Sequence, residues 1–288
     1  MTVLTPQEKI KVNKKWLIYY RKGYNIYVQL IVVYKVKVIL GSSSPTIREV
    51  AKPRVFDFKG ETMKTAILVD GAYYRKVTSS VFGEDTPQNA VDRLYKYCMR
   101  HLSETRDGKN IYNDLYRIFY YDCPPAAINV FHPYLQKDIN LGKTEQYKWM
   151  NDFIKEMKKQ RKVALRLGKL SDYDLNYNFK FSTTKKLLSR KITVEELEES
   201  DFQLNIRQKG VDMKIGVDIA SLAYKKQVDQ IVLIAGDSDF VPASKLARRE
   251  GIDFVLDPLG RQVKDDLFEH IDGLKSRDDK YYKNRNNK

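Results

Sequence analysis

The chain has 288 residues, 42% of them hydrophobic and 31% charged, which is enough apolar material for a domain with its own core and excludes general disorder. Its net charge is +15, but residues 1–62 hold 12 basic and 4 acidic side chains, a net +8, which leaves +7 for residues 63–288; total charge alone therefore does not establish a nucleic-acid binder. Two cysteines, Cys98 and Cys123, and three histidines exclude a disulfide framework and a soft-ligand zinc cluster, and suggest a reducing, cytoplasmic setting.

Residues 1–62 alternate Tyr, Val, Ile and Lys without turn chemistry that defines a domain, and Gly41-Ser42-Ser43-Ser44-Pro45 separates two dissimilar pieces. Tyr24 to Leu40 is the most apolar stretch, yet it contains Lys35 and Lys37 and falls short of the roughly 20 apolar residues of a spanning helix. No small-residue cleavage site follows it in the context of a signal peptide. Met63 begins a strand abruptly, and Lys59-Gly60-Glu61 just upstream can be encoded by a purine run resembling a bacterial ribosome-binding sequence. The expectation is a poorly structured leader translated from upstream DNA, with Met63 as the true start; the alternative is a basic arm or a membrane-surface segment.

From Met63 onward short apolar runs alternate with amphipathic ones, the pattern of an α/β fold with a mainly parallel sheet. Strands are expected at Thr65–Val69, Leu115–Tyr121, Val163–Leu167, Ile231–Ala235 and Ile252–Leu256. Helices are expected near Gln88–Leu102, Glu145–Arg161, Val211–Lys226, Phe240–Glu250 and Val263–Leu274. In the third of these Ile215, Ile219 and Leu222 form an apolar stripe, and in the fourth Pro242 sits in the first turn with Gly251 just past the end. Residues 171–208 read as an insertion on one domain spanning 63–274, and residues 275–288 as a disordered basic tail.

Ligands of open α/β sheets gather beyond the carboxyl ends of the strands. Asp70 follows the first strand, Asp237 and Asp239 follow the fourth across Gly236, and Asp212 opens the helix that leads into that fourth strand. Four carboxylates brought to one edge repel one another unless a cation intervenes. An oxygen-only donor set without Cys or His points to magnesium or manganese, the chemistry of phosphodiester hydrolysis. Taken singly, an Asp at a strand end is often only a turn former or helix cap, and Asp239 in particular is equally a cap of the helix after it.

The ordered segments Val69-Asp70-Gly71-Ala72-Tyr73, Tyr120-Tyr121-Asp122-Cys123-Pro124-Pro125, Leu165-Arg166-Leu167-Gly168, Lys209-Gly210-Val211-Asp212 and Ala235-Gly236-Asp237-Ser238-Asp239-Phe240 resemble the motifs of NYN domains. These are PIN-like metal-dependent ribonucleases, and the bacterial LabA-like subgroup is the nearest match. The resemblance covers about residues 63–272 and implies a PIN-like, Rossmann-like three-layer sandwich. It implies hydrolysis of RNA, single-stranded by preference, with Mg2+ or Mn2+ held by Asp70, Asp212, Asp237 and Asp239. In one place this chain departs from the pattern, since many members have Asn where Tyr73 stands. The family also has an Asp at Asp218, and six residues along a helix turn that side chain about 240° from Asp212, so it is expected to support and not to ligate.

Other candidates carry two readings each. Tyr73, Lys209 and Ser238 are candidate substrate contacts, and Lys209 is equally a solvated lysine. Asp122 is a candidate supporting residue at the end of the second strand, or a turn carboxylate before two prolines. The basic stretch from Lys155 to Lys162 is a solvated helix face or a phosphate track. His101, His132 and His270 make no Ser-His arrangement. Ala72 argues against a haloacid-dehalogenase-type phosphatase, Asp70 against a toprim module, and a glycosyltransferase would leave Asp70 and Asp212 idle. The alternative from another class is a catalytically degenerate PIN-like module that binds RNA or a protein. A homodimer would help a small acidic site embrace a long substrate, and no membrane partner is expected.

Overall fold

A computed structural model of the chain describes residues 9–12, 15–22, 25–31, 62–106, 108–170, 175–206 and 208–283. The chain divides into two compact units, Met1–Glu61 and Thr62–Lys288. In the first, Lys9–Val12, Lys15–Lys22 and Asn25–Ile31 pair as antiparallel strands. Lys9–Val12 alternates charged and apolar residues with the period of a strand, while Lys15–Lys22 carries an unbroken apolar and aromatic run from Trp16 to Tyr20. The proposed start at Met63 concerns a leader whose remaining residues lie outside the described ones.

The second unit is an α/β fold around a six-stranded, all-parallel sheet. In chain order the strands are β1 (Lys64–Asp70), β2 (Asp114–Asp122), β3 (Val163–Leu167), β4 (Gln230–Ile234), β5 (Asp253–Asp257) and β6 (Gly273–Leu274), with spatial order β3-β2-β1-β4-β5-β6. The order reverses between β1 and β4, the switch point at which α/β sheets open a crevice. Register makes that edge level: Val69 faces Ile234, and Asp70 faces Tyr121.

Both faces of the sheet are covered. On one, Ile67, Val69, Ile118, Tyr120, Val232 and Ile234 pack against α1 (Gly71–Phe82), α2 (Pro87–Arg100) and α3 (Glu145–Met157). On the other, Ala66, Leu68, Phe119, Ile231, Leu233 and Phe254 meet α5 (Val211–Tyr224) and α6 (Val241–Arg249). A short helix α4 (Phe181–Leu188) lies in the insertion. The period-2 alternation within each strand divides the core into these two layers.

Two expected elements differ. No helix was read directly after the first strand, yet α1 follows Asp70 without a loop, because the Asp70 side chain caps it and Tyr74 and Val77 are buried. The helix expected at Val263–Leu274 is a single turn, α7 (Asp265–Phe268), after which β6 pairs with Val255 and Leu256. Asp272 sets this course: its carboxylate accepts from the Phe254 amide at 2.9 Å and from Arg248 Nε at 2.8 Å.

The tail expected to be disordered is packed over much of its described length. Ser276 Oγ donates to Asp257 at 2.5 Å, Arg277 donates to the carbonyl of Ser103 at 2.5 Å, and Tyr281 is buried beside Phe82 and Tyr97. No helix among the described residues is long and apolar enough to cross a membrane.

Candidate metal centre

Asp70 closes β1 and caps α1, its carboxylate accepting from the Tyr73 amide at 3.1 Å. Asp212 is the second residue of α5 and exposed. Asp237 follows β4 and caps the 3-10 turn Ser238–Phe240 by accepting from the Asp239 amide at 3.2 Å. Asp239 is exposed in that turn; it does not cap α6, whose N-cap position is Phe240 with no side-chain bond. The cap belongs to Asp237 because the chain makes one further turn before the helix begins.

The four carboxylates share a field. Burial raises the Asp70 carboxyl above the ordinary range, opposed by the Tyr73 N–H, with the Asp212 charge raising it further and Arg75 lowering it. Partial desolvation raises Asp212 as well, exposed though its side chain is, reinforced by the charges of Asp237 and Asp239. Among the described residues no three His, Cys, Asp or Glu side chains are spaced to hold a metal ion. The donor chemistry of the four carboxylates is that of a hard divalent cation, but they are not assembled around one, and coordination would require the exposed Asp212, Asp237 and Asp239 to turn inward.

A carboxyl raised in the folded state binds more protons there than in the unfolded chain. Its contribution to stability is full below the unfolded value of 3.8 and is lost as pH rises through the folded value. Asp70→Asn, which keeps a capping side chain, is expected to raise the melting temperature at pH 7 in chelator, by about 2–4 °C per kcal/mol relieved. That gain shrinks as the pH is lowered toward 4, as differential scanning calorimetry at several pH values would show.

Asp122 is wholly buried. Its carboxylate accepts from the Tyr120 hydroxyl at 2.9 Å, from the Cys123 amide at 2.8 Å and from Gln208 Nε2 at 3.3 Å, and it pairs with Arg75 of α1. Arg75 also donates to the Tyr120 hydroxyl at 2.9 Å. Gly71 is required beneath this cluster, since a Cβ there would lie 2.5 Å from Asp122 Oδ2 and from the Tyr120 ring. Asp218 accepts from the Tyr121 hydroxyl and from Arg166 Nε, both at 2.8 Å, and so braces β2 and β3 against α5.

The candidate substrate contacts are placed differently from one another. The Tyr73 hydroxyl donates to the Pro258 carbonyl at 2.6 Å, and its ring lies against Gly236, where no side chain would fit. Burial, with the charge of Asp257, raises its phenol above the ordinary range. Lys209 is exposed in a strand pair with Lys169. Ser238 accepts from Lys264 Nζ at 3.1 Å. The basic stretch 155–162 runs from the end of α3 to the start of β3, at the opposite edge of the sheet from Asp70, so it is no track into this site.

Sequence reasoning missed Arg75 and Lys264. Arg75 is i+4 from Gly71, a spacing that is informative only once α1 is recognised. Ser276, Asp257 and His101 do come together, but Ser276 donates to the Asp257 carboxylate, which also lies 2.8 Å from His101 Nε2. The hydroxyl therefore does not face the imidazole, and no nucleophilic triad results.

The model of the NYN domain family matches residues 64–256. Among curated proteins there is no match. A solved structure of a protein of unknown function from Vibrio parahaemolyticus RIMD 2210633 is 12% identical, covering 76% of this chain and 95% of that one with a TM-score of 0.39.

Proposed function

Because the chain belongs to the NYN domain family, a PIN-like family of nucleases that are typically metal-dependent, we propose that it hydrolyses RNA phosphodiester bonds internally, with Mg2+ or Mn2+ at the acidic edge. The observation that carries this reading is the gathering of Asp70, Asp212, Asp237 and Asp239 near the switch point of the sheet, where the charge of Asp212 acts on Asp70 and those of Asp237 and Asp239 act on Asp212. A binder of RNA gains nothing from four negative charges gathered at its binding edge.

Asp70 and Asp237 would be the fixed holders of the ion, since backbone amides orient both carboxylates. Asp212 and Asp239, exposed like Asp237, would turn toward the ion, and Asp239 is either a third oxygen donor or the carboxylate that orients the attacking water. A bound divalent ion supplies charge neutralisation at the phosphate and a nucleophile at neutral pH. Lys264, which reaches the turn carrying Ser238, supplies positive charge for a neighbouring phosphate. The same reading takes Lys209 as a phosphate contact and the setting as cytoplasmic.

One observation favours a second reading. With its hydroxyl committed to Pro258, Tyr73 offers nothing like a free amide to substrate, as expected of a degenerate module that binds RNA without cutting it. Incubating the full chain with single-stranded RNA in Mn2+, Mg2+ or chelator separates the two. Metal-dependent fragments support the nuclease; intact RNA in every metal supports the degenerate module.

A further inference from the structure

Two loops rise from the edge that carries the acidic residues: 123–144, between β2 and α3, and 168–210, between β3 and α5. Each contains a strand pair, Asn129–His132 with Lys137–Asn140 and Asn176–Phe179 with Phe202–Asn205. Rings join them, His132 lying 4.2 Å from Tyr177 and 5.6 Å from Phe202 between centroids, and Tyr134 lying 6.0 Å from Phe202. The two loops thus form one cap. Its stem pairs Lys169 with Lys209, and Gln208 donates to Asp122, so the cap stands directly before Gly210, Val211 and Asp212.

The outer surface of the cap has its own chemistry. Phe181 is 82% exposed and Phe179 is 40% exposed. Residues 175–191 carry five basic side chains and no acidic one. Asp201, bonded to Thr183 Oγ1 at 2.7 Å, offsets the charge of Lys180 and Lys186, while Lys185, Arg190 and Lys191 stand exposed. Exposed phenyl rings among cations are poor matches for water but good ones for unpaired bases and their phosphates: bases stack on the rings and the lysines take the backbone. A duplex hides the base faces that such rings need.

We propose that this cap is the single-strand RNA grip of the protein, with Phe179 and Phe181 stacking bases and Lys185 and Lys191 holding phosphates. It rests on the RNA substrate proposed above and adds where, and in which form, that RNA is held.

The test is binding of a fluorescein-labelled single-stranded RNA of mixed sequence to the full chain in chelator, followed by anisotropy. Wild type is expected to bind it in preference to the same sequence as a duplex. Phe179→Ala/Phe181→Ala is expected to weaken binding about tenfold or more, and Lys185→Gln/Lys191→Gln to flatten the salt dependence by about 1.4 in log–log slope. Phe179 also packs on Phe202 at 4.8 Å between centroids, so Phe181→Ala alone, expected to weaken binding in the same direction, is measured beside the double variant, and unchanged melting temperatures confirm folding. Wild-type affinity in both variants, preference for duplex, or no binding by the wild type would each overturn the grip. So would a change confined to oligomeric state, which would mark the phenylalanines as a contact with a second copy. Binding in chelator is independent of cutting: a chain that grips but never cleaves removes only the nuclease reading, and one that cleaves but ignores the substitutions removes only the grip.

Discussion

Asp122→Ala is expected to lower the stability of the domain by about 3 kcal/mol, the low end of what breaking a buried ion pair costs, and its melting temperature by about 6–12 °C. Three donors and the Arg75 guanidinium converge on that wholly buried carboxylate. Alanine leaves the Cys123 amide and the Tyr120 hydroxyl without their acceptor, and each such orphan costs about 1–3 kcal/mol. Because the Arg75 side chain is 27% exposed, water recovers part of its loss, and this sets the estimate at the low end. Asp122→Asn keeps the shape and one acceptor oxygen, so its loss is expected to be about half as large. Urea denaturation of the three proteins checks this, and a loss under about 0.5 kcal/mol for the alanine variant would show that the cluster does not brace β2 against α1.

Manganese is expected to stabilise the chain by about 2.7 kcal/mol at a hundred times its dissociation constant, a rise of roughly 5–10 °C. On the proposed reading the folded state concentrates carboxylates that the unfolded chain disperses, so the ion would bind the folded state and offset the like charge that adds to burial in raising Asp70 and Asp212. Asp212→Asn removes one donor together with its charge. That variant is expected to melt higher than wild type in chelator and to gain little from manganese. Equal manganese shifts in the two proteins, read by scanning calorimetry, would place the ion elsewhere.

The positions of the four carboxylates were legible because they follow from run boundaries. Apolar stretches ending at Val69 and Ala235 put Asp70 at the last position of β1 and Asp237 three residues past the end of β4, and parallel pairing brings those ends level. The family likeness added Asp218 and the nature of the substrate. What could not be read were features that depend on tertiary support. Helix α1 has only Ala72, Arg75 and Lys76 as strong helix formers among Tyr, Val, Thr and Ser and is held by its cap and its buried face; with it unseen, Arg75 had no place. The six residues before β6 carry helix-like apolar spacing, but Asp272 is drawn to the Phe254 amide and Arg248, which turns the chain back to the sheet edge. Tyr281 reads as one more residue of a polar tail until Phe82 and Tyr97 are seen to enclose it.

The measurement that bears most directly on the acidic edge is the rate of RNA cleavage by the full chain in manganese beside Asp237→Asn, with folding of both verified by melting. Asn keeps an oxygen that can accept from the Asp239 amide, so the turn is expected to survive while the charge is lost. A fall of about a thousandfold or more, equivalent to roughly 4 kcal/mol of barrier, with no cleavage by wild type in chelator, is the predicted result. Equal rates in the two proteins, or cutting that chelator does not stop, would contradict it.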